Sequence, residues 1–229
     1  VLKIVRTVWP VMLTYVAIGA PCGMIMGQTG MEPWMVFALS STFVTGSGQF
    51  MVCNLWLAGV PAASIVASVA AISSRFALYS ASIAPHLRGA SKRQTLAVAA
   101  TLTEEAYGIS LAKLVEGEDW GPRESFALNA ILIATWGVSC TMGAVVGAVV
   151  DVPTAIAGFV CTSLFICLLF SQRLSRGNVV AAVSGAVSVA VCKFLGLTNI
   201  AVPASVVAGI AIALACDAVF DGRGARDAR

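Results

Sequence analysis

The stretch from Trp34 to Ser74 decides the fold class, and it reads WMVFALSSTFVTGSGQFMVCNLWLAGVPAASIVASVAAISS. It contains no charged side chain and is about twice as long as the roughly 20 helical residues that cross a hydrocarbon core of about 30 Å. Residues 45–49 at its middle bring two glycines, two hydroxyls and an amide. Such irregularity survives in a membrane only where protein covers it or where it lines a polar cavity. We predict that this stretch forms the floor of a transport site and that the rest of the chain forms its walls.

The composition of the whole chain excludes an ordinary soluble domain. Of 229 residues, 59% are hydrophobic and only 11% are charged, whereas about 25% are charged in soluble domains. The charge-poor runs are 7–31, 34–74, 125–150, 152–172, 177–192 and 194–216, and the segment 94–114 is also apolar. They predict an all-α integral membrane protein with seven or eight transmembrane segments, at least one of them broken or re-entrant. Residues 1–220 form one polytopic membrane domain, and 221–229 form a polar C-terminal tail.

Several function classes are disfavoured by what the chain contains. The net charge of +3 is scattered, which argues against a nucleic-acid partner. The seven cysteines lie in apolar runs, and the only histidine is His86, so we expect neither a metal site nor a cofactor. Ser47 lies between two glycines but has no histidine beside it to activate it. We therefore expect that the chain is not an enzyme.

The first segment carries a second irregular stretch, Gly19 to Gly23. Pro21 removes a backbone hydrogen bond and frees the carbonyl of Ala17. One interpretation is a kinked helix whose small residues let a neighbouring helix pack closely. The other is a broken helix whose freed backbone groups face a substrate. The sequence leaves both open.

An internal repeat is suggested by residues that recur at one spacing. Gly23, Gly27 and Pro33 recur, without gaps, as Gly143, Gly147 and Pro153. Transporters are often built from such repeats, with the substrate at their interface. A broken or re-entrant early segment would also help to place the basic N-terminus and the basic 86–93 loop on the same side of the membrane.

The polar residues of the second segment could bind a small zwitterion. On a continuous helix, Ser41, Thr45 and Gln49 fall on one face. Their hydroxyl and amide groups match an ammonium or a carboxylate. The alternative is hydrogen bonding between helices, worth under about 1–2 kcal/mol per bond.

Charged residues at membrane depth form the other candidate group. Arg75 and Tyr79 share a helix face, whereas the adjacent Glu104 and Glu105 lie about 100° apart on a helix and cannot both face one partner. We expect one glutamate to pair with Arg75 while the other faces elsewhere. A membrane carboxylate is a candidate proton carrier or a contact for a substrate amine, and the alternative is a purely structural ion pair.

These stretches together resemble the AzlC family over roughly residues 6–220. The motifs that carry the resemblance are Pro21-x-Gly23, Ser41-x-Phe43-x-x-Gly46-x-x-Gln49-Phe50, Arg75-x-x-x-Tyr79 and Thr103-Glu104-Glu105-x-Tyr107. The resemblance implies the large subunit of a bacterial two-component exporter in the cytoplasmic membrane. It also implies export of valine, leucine, isoleucine or methionine driven by an ion gradient, and a separate small membrane subunit of the AzlD type.

The chain departs from the family pattern at two places. The family's Asn-x-Arg-His is replaced by Ser73-Ser74-Arg75-Phe76, and its Thr-Asp-Glu by Thr103-Glu104-Glu105. The arginine and a carboxylate are kept, but the amide and the imidazole are lost. These changes put the identity of the substrate and the coupling in doubt.

The leading hypothesis is a secondary exporter of small neutral amino acids that sits in the lipid bilayer and can oligomerise. The predicted substrate-binding residues are Gly19, Pro21, Gly23, Ser41, Thr45, Gly46, Ser47, Gln49, Arg75 and Tyr79, and Glu104 and Glu105 are predicted to couple an ion or bind the substrate amine. The substrate's apolar side chain would lie against Phe43, Phe50 or Trp56. The alternatives are a non-transporting membrane scaffold, in which the polar groups only hold helices together, and a channel for a small polar solute.

Overall fold

A computed structural model describes residues 2–87, 89–116, 120–149 and 176–196, and the positions 159, 162, 163, 166, 204, 205, 207–209, 211, 212, 215 and 216. All regular structure in these residues is helical, so the all-α prediction is confirmed for this part of the chain. The chain divides into two compact units. The first comprises Val1–Leu57 and Ser73–Thr162, and the second comprises Ala58–Ile72 and Ser163–Arg229.

The helices are α1 (Leu2–Gln28), α2 (Pro33–Thr42), α3 (Gly46–Leu57), α4 (Ala62–Ser73), α5 (Arg75–Ile83), α6 (Lys92–Ala100), α7 (Glu104–Glu116), α8 (Pro122–Val149) and α9 (Arg176–Phe194). A short 3-10 turn, Ala84–Leu87, follows α5. Ser74 alone separates α4 from α5.

Three helical stretches within the described residues are long and apolar enough to cross a membrane: Lys3–Gln28, Ala62–Leu87 and Pro122–Val149. Val179–Phe194 is a shorter apolar helix. The second and fourth predicted segments, at about 34–57 and 94–114, are each divided into two shorter helices. The predicted segments at 153–172 and 200–219 lie mostly outside the described residues. The number of seven or eight spans therefore stays a prediction.

Helices α1 and α8 pack side by side through small residues. A Cβ on Gly23 would overlap the carbonyl oxygen of Cys140, and one on Gly143 would overlap the carbonyl oxygen of Ala20. Close approach of this kind is typical of small residues spaced four apart in membrane helices. Because the contacts advance in the same direction along both helices, α1 and α8 run parallel.

The contacts between α1 and α8 follow the register of the predicted repeat. Gly23 of α1 contacts Cys140, and the equivalent Gly143 of α8 contacts Ala20, the counterpart of Cys140. One turn further, Gly27 lies near Ala144 and Gly147 lies against Met24. Contacts of this kind arise wherever two parallel helices pack in register, so the internal repeat stays a prediction. Pro153 lies outside the described residues.

The irregular stretch of the first segment does not break its helix. Helix α1 continues from Leu2 to Gln28 with Pro21 inside it, so the interpretation of a broken helix at Gly19–Gly23 is wrong. The reason is that α8 covers this stretch, and packing partners let membrane helices tolerate proline. The structure shows the alternative, a glycine surface for a neighbouring helix.

The second segment is broken, as predicted, but the break precedes its glycines. Helix α2 ends at Thr42, and Phe43 leaves the helical conformation with φ −96° and ψ 87°. Gly46 already belongs to α3, whose first turn is capped by Thr45, because the Thr45 hydroxyl accepts a hydrogen bond of 3.2 Å from the Gly48 amide. The indole ring of Trp136 lies where a side chain on Gly46 would be, so a glycine is required there.

The fourth segment has the same construction. Helix α6 ends at Ala100 and α7 begins at Glu104. Thr103 caps α7, because its hydroxyl accepts a hydrogen bond of 3.1 Å from the amide of Ala106. Two segments of the first unit are thus pairs of half-helices, and in each pair a threonine caps the start of the second half-helix.

The second unit contains its own close helix contact. A Cβ on Gly209 would lie 3.2 Å from the carbonyl oxygen of Ala181 in α9, and Gly185 of α9 is its next neighbour. None of the predicted site residues belongs to this unit.

Candidate functional site

The first unit brings the centres of its helices together. Tyr15 is the middle residue of α1, Arg75 lies at the centre of the apolar stretch formed by α4 and α5, and Trp136 lies at the centre of α8. The breaks at 43–45 and 101–103 fall at the middle of the second and fourth segments. Because a helix that crosses a bilayer has its centre near the midplane, these residues lie at about the same depth.

The predicted ion pair forms between Arg75 and Glu104. The Arg75 Nη2 atom donates to Glu104 Oε1 and also to the hydroxyl of Ser47, at 2.6 Å. The exposed fractions of the Arg75 and Glu104 side chains are 26% and 22%, so the pair is largely covered. The Nε atom of Arg75 is buried and has no hydrogen-bond partner among the described residues. One guanidinium donor therefore remains available.

Two capped helix starts lie beside this ion pair. Ser47 lies in the first turn of α3 and Glu104 is the first residue of α7, whereas Arg75 follows Ser74, whose backbone is helical, within the span Ala62–Leu87. A helix start carries partial positive charge and amides without helical partners. Glu104 compensates part of this charge. A site with an arginine and helix starts on one side and a carboxylate on the other is complementary to a zwitterion.

Gln49 is used entirely within the protein. Its Oε1 atom accepts hydrogen bonds of 3.1 Å from the hydroxyl of Ser40 and from the indole nitrogen of Trp136. Its Nε2 atom donates to the carbonyl of Phe43 at 2.6 Å. The residue is 1% exposed. Its amide therefore links the end of α2, the start of α3 and α8, which corresponds to the alternative of hydrogen bonding between helices rather than to substrate binding.

The predicted common face of Ser41, Thr45 and Gln49 is wrong. It assumed a continuous helix, and the helix ends between the first of these residues and the second. Thr45 caps α3. The hydroxyl of Ser41 is buried against Gly137 and has no hydrogen-bond partner among the described residues, so Ser41 is the one residue of the three whose side chain could still accept or donate.

Tyr79 lies in an aromatic group beside the ion pair. Its ring stacks on that of Tyr107 at 4.6 Å and meets Phe76 edge-on at 5.7 Å. The guanidinium carbon of Arg75 lies 5.5 Å from the centre of the Phe76 ring. Phe76, which stands where the family has histidine, thus contacts the arginine through its ring. A role for Tyr79 in binding substrate stays a prediction.

The two glutamates face different partners, as the sequence predicts. Glu105 accepts a hydrogen bond of 2.6 Å from the hydroxyl of Tyr15, and that hydroxyl also lies 3.2 Å from the hydroxyl of Thr103. The Tyr15 ring packs edge-on against Trp136 at 5.3 Å. Helix α1 therefore joins the site through Tyr15.

The residues predicted on α1 join the site only indirectly. Gly19 and Gly23 lie against α8, with Gly19 next to Ser139, and Pro21 is part of the unbroken helix. Their role in binding substrate stays a prediction. Gly46 is covered by Trp136, one turn away from the ion pair.

The side chains predicted to receive the apolar part of a substrate are divided. Phe50 is completely buried in the core, whereas Trp56 is 57% exposed near the end of α3. Phe43 lies at the break itself and is half-buried. Of the three, Phe43 has the position closest to the helix break.

Sequence analysis missed three residues of the site. Tyr15 and Trp136 are single aromatic residues in apolar runs, where they look like core. Asn129 is fully buried, and its amide donates to the carbonyl of Val98 at 3.1 Å and to the hydroxyl of Thr101 at 3.0 Å. It thereby binds the C-terminal end of α6, where the break begins. The signal that could have found all three is a hydrogen-bonding side chain inside a membrane span.

Comparison with known proteins gives two matches. The model of a family described as AzlC protein matches residues 10–150, which include the site from Tyr15 to Trp136. The chain is also similar to the protein named "Inner membrane protein YgaZ" of Escherichia coli (strain K12), with 25% identity over 217 residues that cover 88% of this chain and 82% of that protein. No solved structure matches the chain.

Proposed function

Because the chain belongs to the AzlC family, we propose that it is the large subunit of a two-component secondary transporter that exports small neutral amino acids, branched-chain ones among them. It is a multi-pass protein of the bacterial cytoplasmic membrane. The proposal includes seven or eight membrane segments, two of them broken, and a small membrane subunit of the AzlD type as partner. It assigns no chemical reaction to the chain, only binding and movement of a solute.

The observation that carries the proposal is the meeting of two helix breaks with the Arg75–Glu104 pair at the helix centres. Charged residues at the middle of a membrane are costly and are kept mainly where they serve a function. Broken helices whose ends face a site at the midplane are typical of secondary transporters. A bundle that needed only mechanical stability could use continuous apolar helices instead.

The geometry supports recognition of both ends of an amino acid. A substrate carboxylate would lie at the start of α3, where the Ser47 hydroxyl and the Arg75 guanidinium, which both donate to Glu104 in this structure, would donate to it instead. The ammonium would face Glu104. The substrate would thereby separate Arg75 from Glu104. Its carboxylate would replace Glu104 as the partner of Arg75, and its ammonium would replace Arg75 as the partner of Glu104. A neutral zwitterion leaves the net charge of the site unchanged, whereas a solute with a net charge would change it.

The main competing function is a membrane scaffold without transport. Gln49 favours it, because every polar atom of its amide is used in holding α2, α3 and α8 together. The ion pair distinguishes the two functions. In a scaffold, Arg75 contributes only to stability, whereas in a transporter it also determines flux.

The experiment is counterflow of radiolabelled L-leucine into lipid vesicles that contain the full chain and the subunit that copurifies with it. Hydrogen bonds to charged groups are worth about 1.5–3 kcal/mol, so Arg75→Ala is expected to weaken leucine binding by about tenfold to a hundredfold. Arg93→Ala is the matched control, because Arg93 is an exposed arginine in the first turn of α6. Absence of saturable counterflow of leucine and of other neutral amino acids with the wild type, or normal flux with Arg75→Ala, would refute the proposal.

A further inference from the structure

We infer that Glu105, held by Tyr15, carries the proton that drives this transporter, and that Glu104 does not. The inference rests on the proposed function and names its coupling ion and the residue that binds it. Its starting point is that two neighbouring carboxylates lie in different surroundings. Glu104 accepts from a guanidinium, and Glu105 accepts from a phenol.

The charges around Glu105 do not balance unless a proton is added. Its titratable neighbours in the described part of the chain are Tyr15 on α1, Glu104 on α7 and Arg75 on α5, with which it also interacts electrostatically. Tyr79 on α5 interacts in turn with Arg75. Helix α3 contains no charged residue, and the two charged residues of α8 lie in its first turn. One cation therefore faces two carboxylates.

An excess negative charge near the centre of a membrane is unfavourable, and binding one proton removes it. The proton is expected on Glu105 because protonation of Glu104 would break the ion pair with Arg75. Glu105 loses no ion pair among the described residues when it is neutralised. It is also the more exposed of the two glutamates.

The hydroxyl of Tyr15 suits both protonation states. It lies 2.6 Å from Glu105 and 3.2 Å from the hydroxyl of Thr103. When Glu105 is ionised, the phenol donates to it. When Glu105 is protonated, the carboxylic O–H donates to the phenol oxygen, and the phenol O–H turns to Thr103, because a hydroxyl both donates and accepts. No hydrogen bond is lost in either state, so loading and release of the proton carry a small structural cost.

The proton site and the substrate site share one helix end. Thr103 caps α7, Glu104 is its first residue and Glu105 its second. Protonation of Glu105 removes a negative charge beside the carboxylate that faces the substrate ammonium. Proton binding and substrate binding must therefore influence each other, and the influence is reciprocal. This linkage is what a proton-driven transporter requires.

The first test measures the proton without any substrate. Infrared difference spectra of the purified full chain, recorded across a pH titration, report the C=O band of a carboxylic acid as it ionises. The other carboxyl groups of the chain contribute to every spectrum, so the signal of Glu105 is the component that is present in the wild type and in Glu104→Gln and missing in Glu105→Gln. Tyr15→Phe is expected to shift this component, since the hydrogen bond to the carboxyl is removed while the ring keeps its contact with Trp136. A titration spectrum of Glu105→Gln that equals that of the wild type would overturn the inference.

The second test measures the coupling in vesicles with L-leucine. An imposed gradient of one pH unit is expected to raise wild-type accumulation by about tenfold at most if one proton moves per substrate, because one pH unit is a tenfold ratio of proton concentrations. The ratio of flux with and without the gradient should fall to about one in Glu105→Gln. Glu116→Gln, in the last turn of the same helix, should keep the wild-type ratio.

The two proposals fail separately. If the wild type shows no leucine counterflow but the carboxylic band depends on Glu105, the transport function is wrong and the proton site stands. If counterflow is present and the pH gradient still drives Glu105→Gln, the proton assignment is wrong and the transport function stands. Loss of both counterflow and gradient response in Glu105→Gln would also overturn the assignment, because a residue that only carries the proton is not needed for exchange.

Discussion

The contact surface between α1 and α8, called the seam below, contains Gly23 and Gly27 of α1 and Gly143 and Gly147 of α8. It predicts that substitution of Gly23 and of Gly27 by alanine changes the stability of the protein in opposite directions. In Gly23→Ala the new Cβ would overlap the backbone carbonyl of Cys140, and backbone atoms cannot turn aside as a side chain can. The helices must therefore separate, by about 1 Å, and lose contacts along the seam. Overpacking of this kind costs about 1–3 kcal/mol. In Gly27→Ala the nearest atoms of α8 lie at 3.8 and 3.9 Å, which is an ordinary contact.

Gly27→Ala is thus the matched control on the same helix face. It gains about 1 kcal/mol at most from the higher helix propensity of alanine, and its stability should equal or exceed that of the wild type. The assay is thermal unfolding of the purified protein in lipid nanodiscs, read by circular dichroism. Gly143→Ala should behave like Gly23→Ala, because its Cβ would overlap the carbonyl of Ala20. Equal stability of Gly23→Ala and Gly27→Ala would refute the parallel, close-packed seam.

Two further predictions concern the breaks and use the same assay. Gln49→Leu leaves the indole N–H of Trp136 and the hydroxyl of Ser40 without their acceptor, which costs about 1–3 kcal/mol of stability per unsatisfied buried group. Ser40→Ala removes a single hydrogen bond and should cost less. Equal losses of stability in the two variants would contradict the role of Gln49 as the common acceptor. Asn129→Leu removes the donors to Val98 and Thr101 and should destabilise by a similar amount, with a rise in hydrogen exchange in α6; unchanged exchange there would show that the break needs no side-chain support.

The fold class and the presence of a break in the second segment could be predicted because both depend on local composition, whereas the break at 101–103 in the fourth segment was not predicted. An apolar run of sufficient length specifies a membrane segment wherever it occurs. A threonine followed by small polar residues specifies a capped helix start at Thr45, because the cap bonds to an amide only three residues away. The error at Gly19–Gly23 has the opposite origin. Whether a helix tolerates Pro21 depends on what covers it, and α8 is distant in the sequence.

The membership of the site could be predicted only in part. Arg75 and a glutamate were expected to meet, but the choice of Glu104 over Glu105 depends on how α7 is turned relative to α5. Gln49 looked available for a substrate, and its partner Trp136 is contributed by another helix. Tyr15 resembled a core aromatic until its hydroxyl was found against Glu105.

The sequence by itself determined a helical membrane protein of this family, with a second segment interrupted near Gly46 and with charges placed at the centres of spans. These properties follow from hydropathy and hydrogen bonds over a few residues. Only the tertiary structure decided that α1 is continuous, that the Gln49 amide is used within the protein and that Glu104 rather than Glu105 pairs with Arg75. The physical reason is that each of these outcomes depends on which side chains of distant segments meet, and the seam of small residues between α1 and α8 sets how closely those two helices approach.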